Sequence, residues 1–260
     1  MTPDHDPFLL SEVRDGILTV TLNRPASRNA LSQAMLSALE DMLESVAADP
    51  AIRVLVLRGA GPGFCAGHDL REIRAFDGPA RARLFAQCSR MMQRLTTLPV
   101  PVIAQVHGIA TAAGCQLVAT CDLAIAADTA RFAVSGINVG LFCSTPMVAL
   151  SRVVPRKAAM EMLLTGDMLP APEAARLGLV NRCVPDAELA EAVQALARKI
   201  GSKSRSAVAL GKPAFYRQAE LPLAEAYAHT AEVMVRNMEA HDANEGIDAF
   251  IGKRAPVWAD

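Results

Sequence analysis

The sequence has few aromatic residues and no excess of charge of either sign. Aromatic residues make up 4% of the 260 residues, and Lys plus Arg total 26 against 27 Asp plus Glu. A chain so close to neutral has no basic field with which to hold nucleic acid or an anionic membrane surface. The composition therefore excludes a polyelectrolyte partner, and no nucleic acid is expected as a ligand.

Patterns for metal binding and for disulfides are also missing. The six cysteines form no CxxC pair, and their spacing does not match that of the histidines. In a chain of this length, neither a zinc site nor a disulfide framework is predicted. We expect no metal, and most of the cysteines are predicted to be small buried apolar residues.

The chain begins MTPDHDPFLL, without a basic segment leading into an apolar run and without an Arg-rich transit pattern. A cytoplasmic location is the resulting expectation. Residues 95–121 and 132–151 contain no Asp, Glu, Lys or Arg. Each stretch is long enough for a membrane span, but its prolines, glycines and polar groups would be left unsatisfied in lipid. We therefore predict no membrane span and assign both stretches to the buried core.

The apolar residues, 52% of the chain, are mainly Ala, Val and Leu, and their spacing predicts strands that alternate with helices. Strands are predicted at residues 17–22, 52–57, 102–106 and 123–126. Helices are predicted at residues 31–46, 81–95, 157–164, 173–177, 186–200 and 224–241. This order indicates an α/β core over residues 1–205, followed by a C-terminal helical region over residues 206–260.

Two glycine- and alanine-rich loops follow predicted strands. They are GAGPGFCAGHDL at residues 59–70 and GIATAAGCQ at residues 108–116. Small residues let a ligand approach the main chain, and a free N–H at a helix N-terminus favours developing negative charge. The loops could converge on one oxygen atom or be tight turns packed between sheet and helix, and the residues alone leave both open. Neither is a GxGxxG or GxxxxGKS motif, so a phosphate site of either type is not supported.

Five segments in order resemble signatures of the enoyl-CoA hydratase/isomerase, or crotonase, superfamily. They are LNRPASRNALS, VLVLRGAGPGFCAGHDLREI, PVIAQVHGIATAAGCQLVATCDLAIAAD, MEMLLTGDMLPAPEAARLGLVNRCVP and GIDAFIGKRAPVW. The resemblance covers essentially the whole chain. Residues 138–146 and 256–258 are similar to the subgroup of enoyl-CoA hydratase domain-containing proteins.

The resemblance implies a spiral of ββα units with a C-terminal helical region used for trimerisation, in homotrimers that often pair into hexamers. It implies a coenzyme A thioester as substrate or ligand and no prosthetic group. By the same resemblance, the backbone N–H groups of His68 and Ala113 form an oxyanion hole for the thioester carbonyl. Two such donors are worth about 10² to 10³ in rate each. The coenzyme A contacts implied in this way are Arg28, Ala66, His68, Asp69, Leu70, Phe250 and Lys253.

The sequence departs from the family's hydratases at the positions of their two catalytic glutamates. Those positions are Gln116 and Gly136, and Ser144 stands where dienoyl-CoA isomerases carry an aspartate. A positioned acid or base is worth about 10² to 10⁴ in rate, so ordinary hydration is doubtful. Gly136 is expected to leave room beside its polar neighbours. The ring of His68 titrates in a range that suits a base, although its implied role is through its backbone.

Three functions from different classes follow. The first is an enzyme of the enoyl-CoA hydratase/isomerase type that stabilises a thioester enolate with an unassigned acid/base. The second is a non-catalytic acyl-CoA binding or regulatory protein. The third is a thioesterase-like hydrolase, because an oxyanion hole by itself serves acyl transfer. Cys65, considered as an acyl nucleophile, has no evident base partner in the sequence. His107 is expected to hydrogen-bond neighbouring backbone. Asp69 and Asp122 are expected to cap an element or to form an ion pair.

Overall fold

The computed structural model describes residues 6–259 and contains two sheets and eleven α-helices in that range. The strands are β1 Leu9–Arg14, β2 Ile17–Leu22, β3 Val54–Gly59, β4 Val102–Val106, β5 Ile109–Thr111, β6 Leu123–Ala127, β7 Arg131–Ala133, β8 Leu169–Pro170 and β9 Arg182–Val184. The helices are α1 Gln33–Ala48, α2 Leu70–Ala75, α3 Gly78–Thr97, α4 Ala113–Thr120, α5 Pro146–Val153, α6 Arg156–Thr165, α7 Ala171–Leu177, α8 Leu189–Gly201, α9 Arg205–Gln218, α10 Leu223–Met238 and α11 His241–Ile251.

The larger sheet has six strands in the order β1-β2-β3-β4-β6-β9. Only the β1–β2 pair is antiparallel, and its tight turn places Asp15 and Gly16 at φ values of 52° and 74°. The other neighbours are parallel. Every residue of β2 and β4 is buried, because parallel strands are covered on both faces. This explains why both strands are mainly apolar, with Thr19, Thr21 and Gln105 as their polar residues.

Helix α1 illustrates how the sequence sets the element boundaries. Ser32 caps its N-terminus by accepting a hydrogen bond from the N–H of Met35 at 3.2 Å. Its buried residues recur at steps of three and four and pack into the core: Met35, Leu36, Leu39, Leu43 and Val46. The helix starts two residues later than the spacing predicted, since the apolar pattern begins before the cap.

Four of the five longer strands were predicted closely, whereas β1 and the short strands were missed. The strand predicted at residues 52–57 lies at Val54–Gly59, where it pairs in parallel with β2. Strands β5, β7, β8 and β9 have two or three residues each, too few for a period to be visible. The predicted helices are all present with shifted ends, and residues 186–188 form a separate 3-10 turn before α8.

The two uncharged stretches differ in the structure. Residues 95–121 lie mainly in the core through β4, β5 and α4. The prediction that residues 132–151 are core is wrong in part, since Val139, Leu141, Phe142, Met147 and Val148 are exposed. After β7, that segment forms a 3-10 helix and α5 with several exposed apolar residues. Within residues 6–259, no helix is long and apolar enough to span a membrane.

Helices α9, α10 and α11 follow the last strand, so residues beyond β9 that the structure describes are helical or irregular. Helix α9 packs on α3 and α10. Lys212 in α9 reaches into the core and pairs with Asp122 at 2.7 Å, just before β6. The C-terminal region is therefore fastened to the core by a buried charge pair. The division at residue 205 stays a prediction.

Candidate active site

The loop at residues 59–70 is held by the side chain of Asn29. Its Nδ2 group donates to the carbonyl oxygens of Ala60, Gly63 and Phe64 at 2.9, 2.9 and 3.1 Å. Its Oδ1 atom accepts from the N–H of Arg24 at 2.9 Å. Asn29 is fully buried with φ at 56°, a conformation that asparagine tolerates better than most residues. The side-chain amide of Asn29 therefore fixes the conformation of the loop at residues 59–70 through three hydrogen bonds.

Replacing Asn29 with glycine is expected to lower the free energy of unfolding by about 1 to 3 kcal/mol, because three buried carbonyl groups lose a donor. Glycine keeps the left-handed backbone accessible, so the loss reports the side chain. Urea unfolding measures the change. Asp15→Gly, at an exposed residue with φ at 52°, is the matched control for placing glycine at positive φ. Equal losses in the two variants would contradict the bracing role of Asn29.

The two loops are joined to each other by main-chain hydrogen bonds. The N–H of Cys65 donates to the oxygen of Ile109 at 3.1 Å, and the N–H of Thr111 donates back to the oxygen of Cys65 at 2.9 Å. The hydroxyl of Thr111 donates to the oxygen of Ala66 at 3.0 Å. A Cβ atom at Gly114 would lie 2.1 Å from the carbonyl oxygen of Cys65. Gly114 therefore permits a contact that no other residue allows.

The residue before His68 also lies against the backbone of Ala113. A Cβ atom at Gly67, the residue before His68, would lie 3.2 Å from the backbone nitrogen of Ala113. Ala113 is the first residue of α4, and its cap residue Ala112 offers no side-chain acceptor. Across residues 6–259, neither N–H has a hydrogen-bond acceptor. Two free donors on adjoining segments, one of them at a helix N-terminus, are the kind of groups that bind an oxyanion.

Ala112 carries backbone strain next to these donors. Its φ of 50° and ψ of −118° lie outside the regions that L-residues commonly adopt. Its N–H donates to the oxygen of Ala133 in β7 at 2.8 Å. Strained conformations of this kind persist only where the surroundings enforce them, and they cluster at functional sites. Here the strain fixes the direction of the Ala113 N–H.

The side chain of His68 is half-buried and has a defined orientation. Its Nδ1 atom lies 3.1 Å from the carbonyl oxygen of Leu31, and its ring packs edge-on against Phe85 with centroids 5.4 Å apart. Burial lowers the pKa of His68 below its usual value, and the bond to Leu31 opposes that shift in part. The Nε2 atom is buried without a hydrogen-bond partner among the described residues.

Gln116 lies one turn beyond Ala113 in α4. Its side chain is only 5% exposed, and its Oε1 atom has no partner within the described part of the chain. The room expected at Gly136 is absent, because a Cβ atom there would lie 2.6 Å from the oxygen of Leu141 and 2.8 Å from Sγ of Cys143. Ser144 is exposed and its hydroxyl donates to Phe142 in its own turn at 3.3 Å.

The other residues expected at the site are distributed more widely. Arg28 is exposed, and its carbonyl oxygen accepts from the N–H of Ala66 at 2.9 Å. The carboxylate of Asp69 caps α2, accepting from Arg71 at 2.9 Å and from Glu72 at 3.3 Å. Leu70 begins α2 and is exposed.

Phe250 and Lys253 lie in the C-terminal region rather than beside the two loops. Phe250 is 85% exposed in α11, which packs on α9 and α10. Lys253 follows that helix with φ at 52°. A role for these two residues at a coenzyme A site stays a prediction.

Three residues have the secondary roles expected of them. His107 pairs its Nε2 with the oxygen of Gly61 at 2.8 Å, and Asp122 pairs with Lys212. Cys65 is fully buried, and burial raises the pKa of its thiol to about 12. Such a thiol is protonated near neutral pH and is a poor nucleophile. Among the described residues, no cluster of His, Cys, Asp and Glu could hold a metal ion.

Comparison with known proteins identifies the family of the chain. The sequence profile described as "Enoyl-CoA hydratase/isomerase" matches residues 12–260. The chain belongs to the enoyl-CoA hydratase/isomerase family. Members of this family have the crotonase fold, bind coenzyme A thioesters and typically oligomerise.

Three relatives illustrate how far this family member resembles known proteins. It is 48% identical over 259 residues to the enoyl-CoA hydratase domain-containing protein 3, mitochondrial, of Rattus norvegicus, covering 99% of this chain and 86% of that protein. A crystal structure of an enoyl-CoA hydratase from Mycobacterium smegmatis is 53% identical with a TM-score of 0.96, covering 98% of this chain and 100% of that one. The human domain-containing protein 3 has a structure with 48% identity and a TM-score of 0.94, covering 97% and 100%.

The expected cytoplasmic location of this family member is wrong. Relatives from Rattus norvegicus, Xenopus laevis, Homo sapiens, Mus musculus and Danio rerio, at 44% to 49% identity, are named mitochondrial. The expectation rested on default reasoning from the first residues, which does not outweigh these five names.

Proposed function

We propose that the protein is an acyl-CoA enzyme of the enoyl-CoA hydratase/isomerase type, which stabilises a thioester enolate with the N–H groups of His68 and Ala113. The observation that carries the proposal is the pair of free donors brought together by the contact between Gly67 and Ala113. An enolate oxygen held by two preorganised donors in a buried site gains far more than it would in water.

Ordinary hydration of 2-enoyl thioesters is expected to be slow. The family resemblance places carboxylates where this chain has Gln116 and Gly136, and a glutamine amide does not take a proton near neutral pH. Losing one positioned acid or base lowers the rate by about 10² to 10⁴. The proposed site thus has the two N–H groups that stabilise negative charge. It lacks the two glutamates that transfer protons in the family's hydratases.

We also propose that the protein forms a homotrimer or a hexamer of two such trimers. Helices α9 to α11 expose large apolar side chains that a monomer leaves in water, including Phe215, Leu223, Tyr227, Met234 and Phe250. Several large apolar side chains exposed on neighbouring helices are typical of an interface. Phe250 and Lys253 would then reach the nucleotide part of coenzyme A, with Arg28 near its phosphates and main-chain groups of Ala66, His68 and Leu70 lining the adenine pocket.

Incubation with a panel of acyl-CoAs in D₂O tests the activity. We expect exchange of the α-protons, read by NMR, together with crotonyl-CoA hydration far below that of a glutamate-bearing family member assayed beside it. Release of free coenzyme A without exchange would indicate a hydrolase instead. Binding without either reaction would indicate a regulatory acyl-CoA binder, and comparable hydration would contradict the argument from the glutamates.

Restoring the carboxylate at residue 136 is not expected to restore hydration. In Gly136→Glu the new Cβ would collide with the backbone of Leu141 and with Cys143, so the surface turn must shift. We expect a lowered melting temperature and no gain in crotonyl-CoA turnover. Gln116→Glu, which changes one atom type without changing volume, serves as the comparison. Full recovery of hydration in the Gly136→Glu, Gln116→Glu double variant would show that the turn accommodates the side chain.

A further inference from the structure

One ring nitrogen of His68 has a hydrogen-bond partner, and the other has none among the described residues. Nδ1 faces the carbonyl oxygen of Leu31, which only accepts hydrogen bonds, so Nδ1 carries the proton. Nε2 is buried and has no partner in the described part of the chain. The imidazole is therefore fixed in one tautomer, with a lone pair directed into the protein interior.

Burial also keeps this imidazole neutral. It lowers the pKa of His68, and no charged neighbour contributes to the shift. The adjacent carboxylate of Asp69 is engaged at the start of α2, where it accepts from two N–H groups. A neutral imidazole with a free Nε2 can accept a proton, which an amide or a buried thiol cannot do near neutral pH.

A second buried acceptor without a partner belongs to the other of the two loops. Gln116 follows Ala113 by one turn of α4, and the backbone of Ala113 is in contact range of Gly67, the residue before His68. Oε1 of Gln116 is buried without a donor. Buried acceptors without partners are rare in proteins and call for a ligand or water. A water molecule has two hydrogens to donate to two such acceptors.

We infer that Nε2 of His68 is the proton acceptor of this site and that Oε1 of Gln116 orients the water from which it takes the proton. This inference rests on the proposed function. In this arrangement, one imidazole and one amide take the place of the two carboxylates. His68 supplies both a backbone donor to the thioester oxygen and a side-chain base.

In the hydration step, Nε2 of His68 both accepts and returns the proton. The water oxygen forms a bond to the β-carbon of a 2-enoyl thioester, while one water proton moves to Nε2. The π electrons move to the thioester oxygen, where the N–H groups of His68 and Ala113 hold the enolate. The imidazolium then returns its proton to the α-carbon, and the carbonyl re-forms. For a saturated acyl-CoA, removal and return of an α-proton by Nε2 gives exchange with solvent.

His68→Asn tests the inference with little change elsewhere. The asparagine Nδ2 can take the place of Nδ1 as donor to Leu31, and the backbone N–H of residue 68 is unchanged, so only Nε2 is lost. We expect α-proton exchange in D₂O to fall by about 10² to 10⁴, with acyl-CoA affinity within a few-fold of the unchanged protein. His107→Gln is the matched control, because glutamine Nε2 can still donate to Gly61, and we expect full exchange from it.

Three possible results distinguish failure of this inference from failure of the proposed function. A large loss of exchange with retained binding supports the inference, and His68→Gln gives the same reading if the asparagine variant does not fold. Exchange within threefold of the unchanged protein in a folded His68→Asn variant overturns the inference while leaving the proposed function intact. Absence of exchange and hydration from the unchanged protein, despite acyl-CoA binding, overturns both.

Discussion

Replacing Gly114 with alanine is expected to abolish the chemistry of the site and to destabilise the fold. The added Cβ would lie 2.1 Å from the carbonyl oxygen of Cys65 and 2.7 Å from its carbonyl carbon, both of them backbone atoms held by neighbouring hydrogen bonds. Neither can move without separating the two loops. Since each oxyanion donor is worth about 10² to 10³ in rate, displacing both should lower α-proton exchange by about 10⁴ or more.

Gly211→Ala is the control for this change. Gly211 lies inside α9, and an added Cβ meets nothing within 4 Å. Alanine favours a helix by up to about 1 kcal/mol over glycine, so this variant should be as stable as the unchanged protein or more stable. Thermal unfolding and α-proton exchange are measured for both variants. If Gly114→Ala retained exchange within tenfold, the close approach would not be what positions the donors.

The parts of the fold that the sequence predicts are those with long periodic patterns. Strand β2 and helix α1 have apolar periods over six residues or more, and they lie within two residues of their predicted positions. Strand β5 has only three residues and is defined by its bonds to the first loop and to β7. Pairing over so long a sequence distance leaves no local period to read.

The two loops could be anticipated because they are rich in glycine and alanine, and the family resemblance added the expectation that His68 and Ala113 in them donate to an oxyanion. The residues that hold them could not. Asn29 reaches three carbonyl groups more than thirty residues away, and the hydroxyl of Thr111 crosses between the loops. Nor does composition reveal that the turn after Gly136 fills the space beside it. Such features depend on which segments meet.

Replacing Lys212 with methionine is expected to lower the free energy of unfolding by about 3 to 5 kcal/mol, because it leaves a buried carboxylate without its cation. The Lys212 side chain is 7% exposed. Its ammonium donates to Asp122 at 2.7 Å and to the carbonyl oxygens of Leu95 and Val100 at 2.7 and 2.8 Å. Burial lowers the pKa of Lys212, and Asp122 opposes that shift.

The same pair fastens α9, and with it the C-terminal helices, to the core. Tyr216, one turn beyond Lys212, donates its hydroxyl to Asp122 at 2.8 Å, and burial together with that carboxylate raises its pKa. We therefore expect Lys212→Met to loosen the C-terminal region first, with faster amide hydrogen exchange in α9 than in β4. Uniform exchange across both elements would contradict this order of unfolding.

Arg198→Met is the matched control for the lost charge pair. Arg198 pairs with Glu191 at 2.6 Å at the surface, with the side chains 53% and 74% exposed, and pairs of this kind contribute less than about 1 kcal/mol.

Removing both buried charges in the double variant Lys212→Met, Asp122→Asn should cost less than the sum of the single changes, because no uncompensated carboxylate remains. Urea unfolding of the four proteins measures the coupling. Strict additivity would mean that the two groups do not stabilise each other.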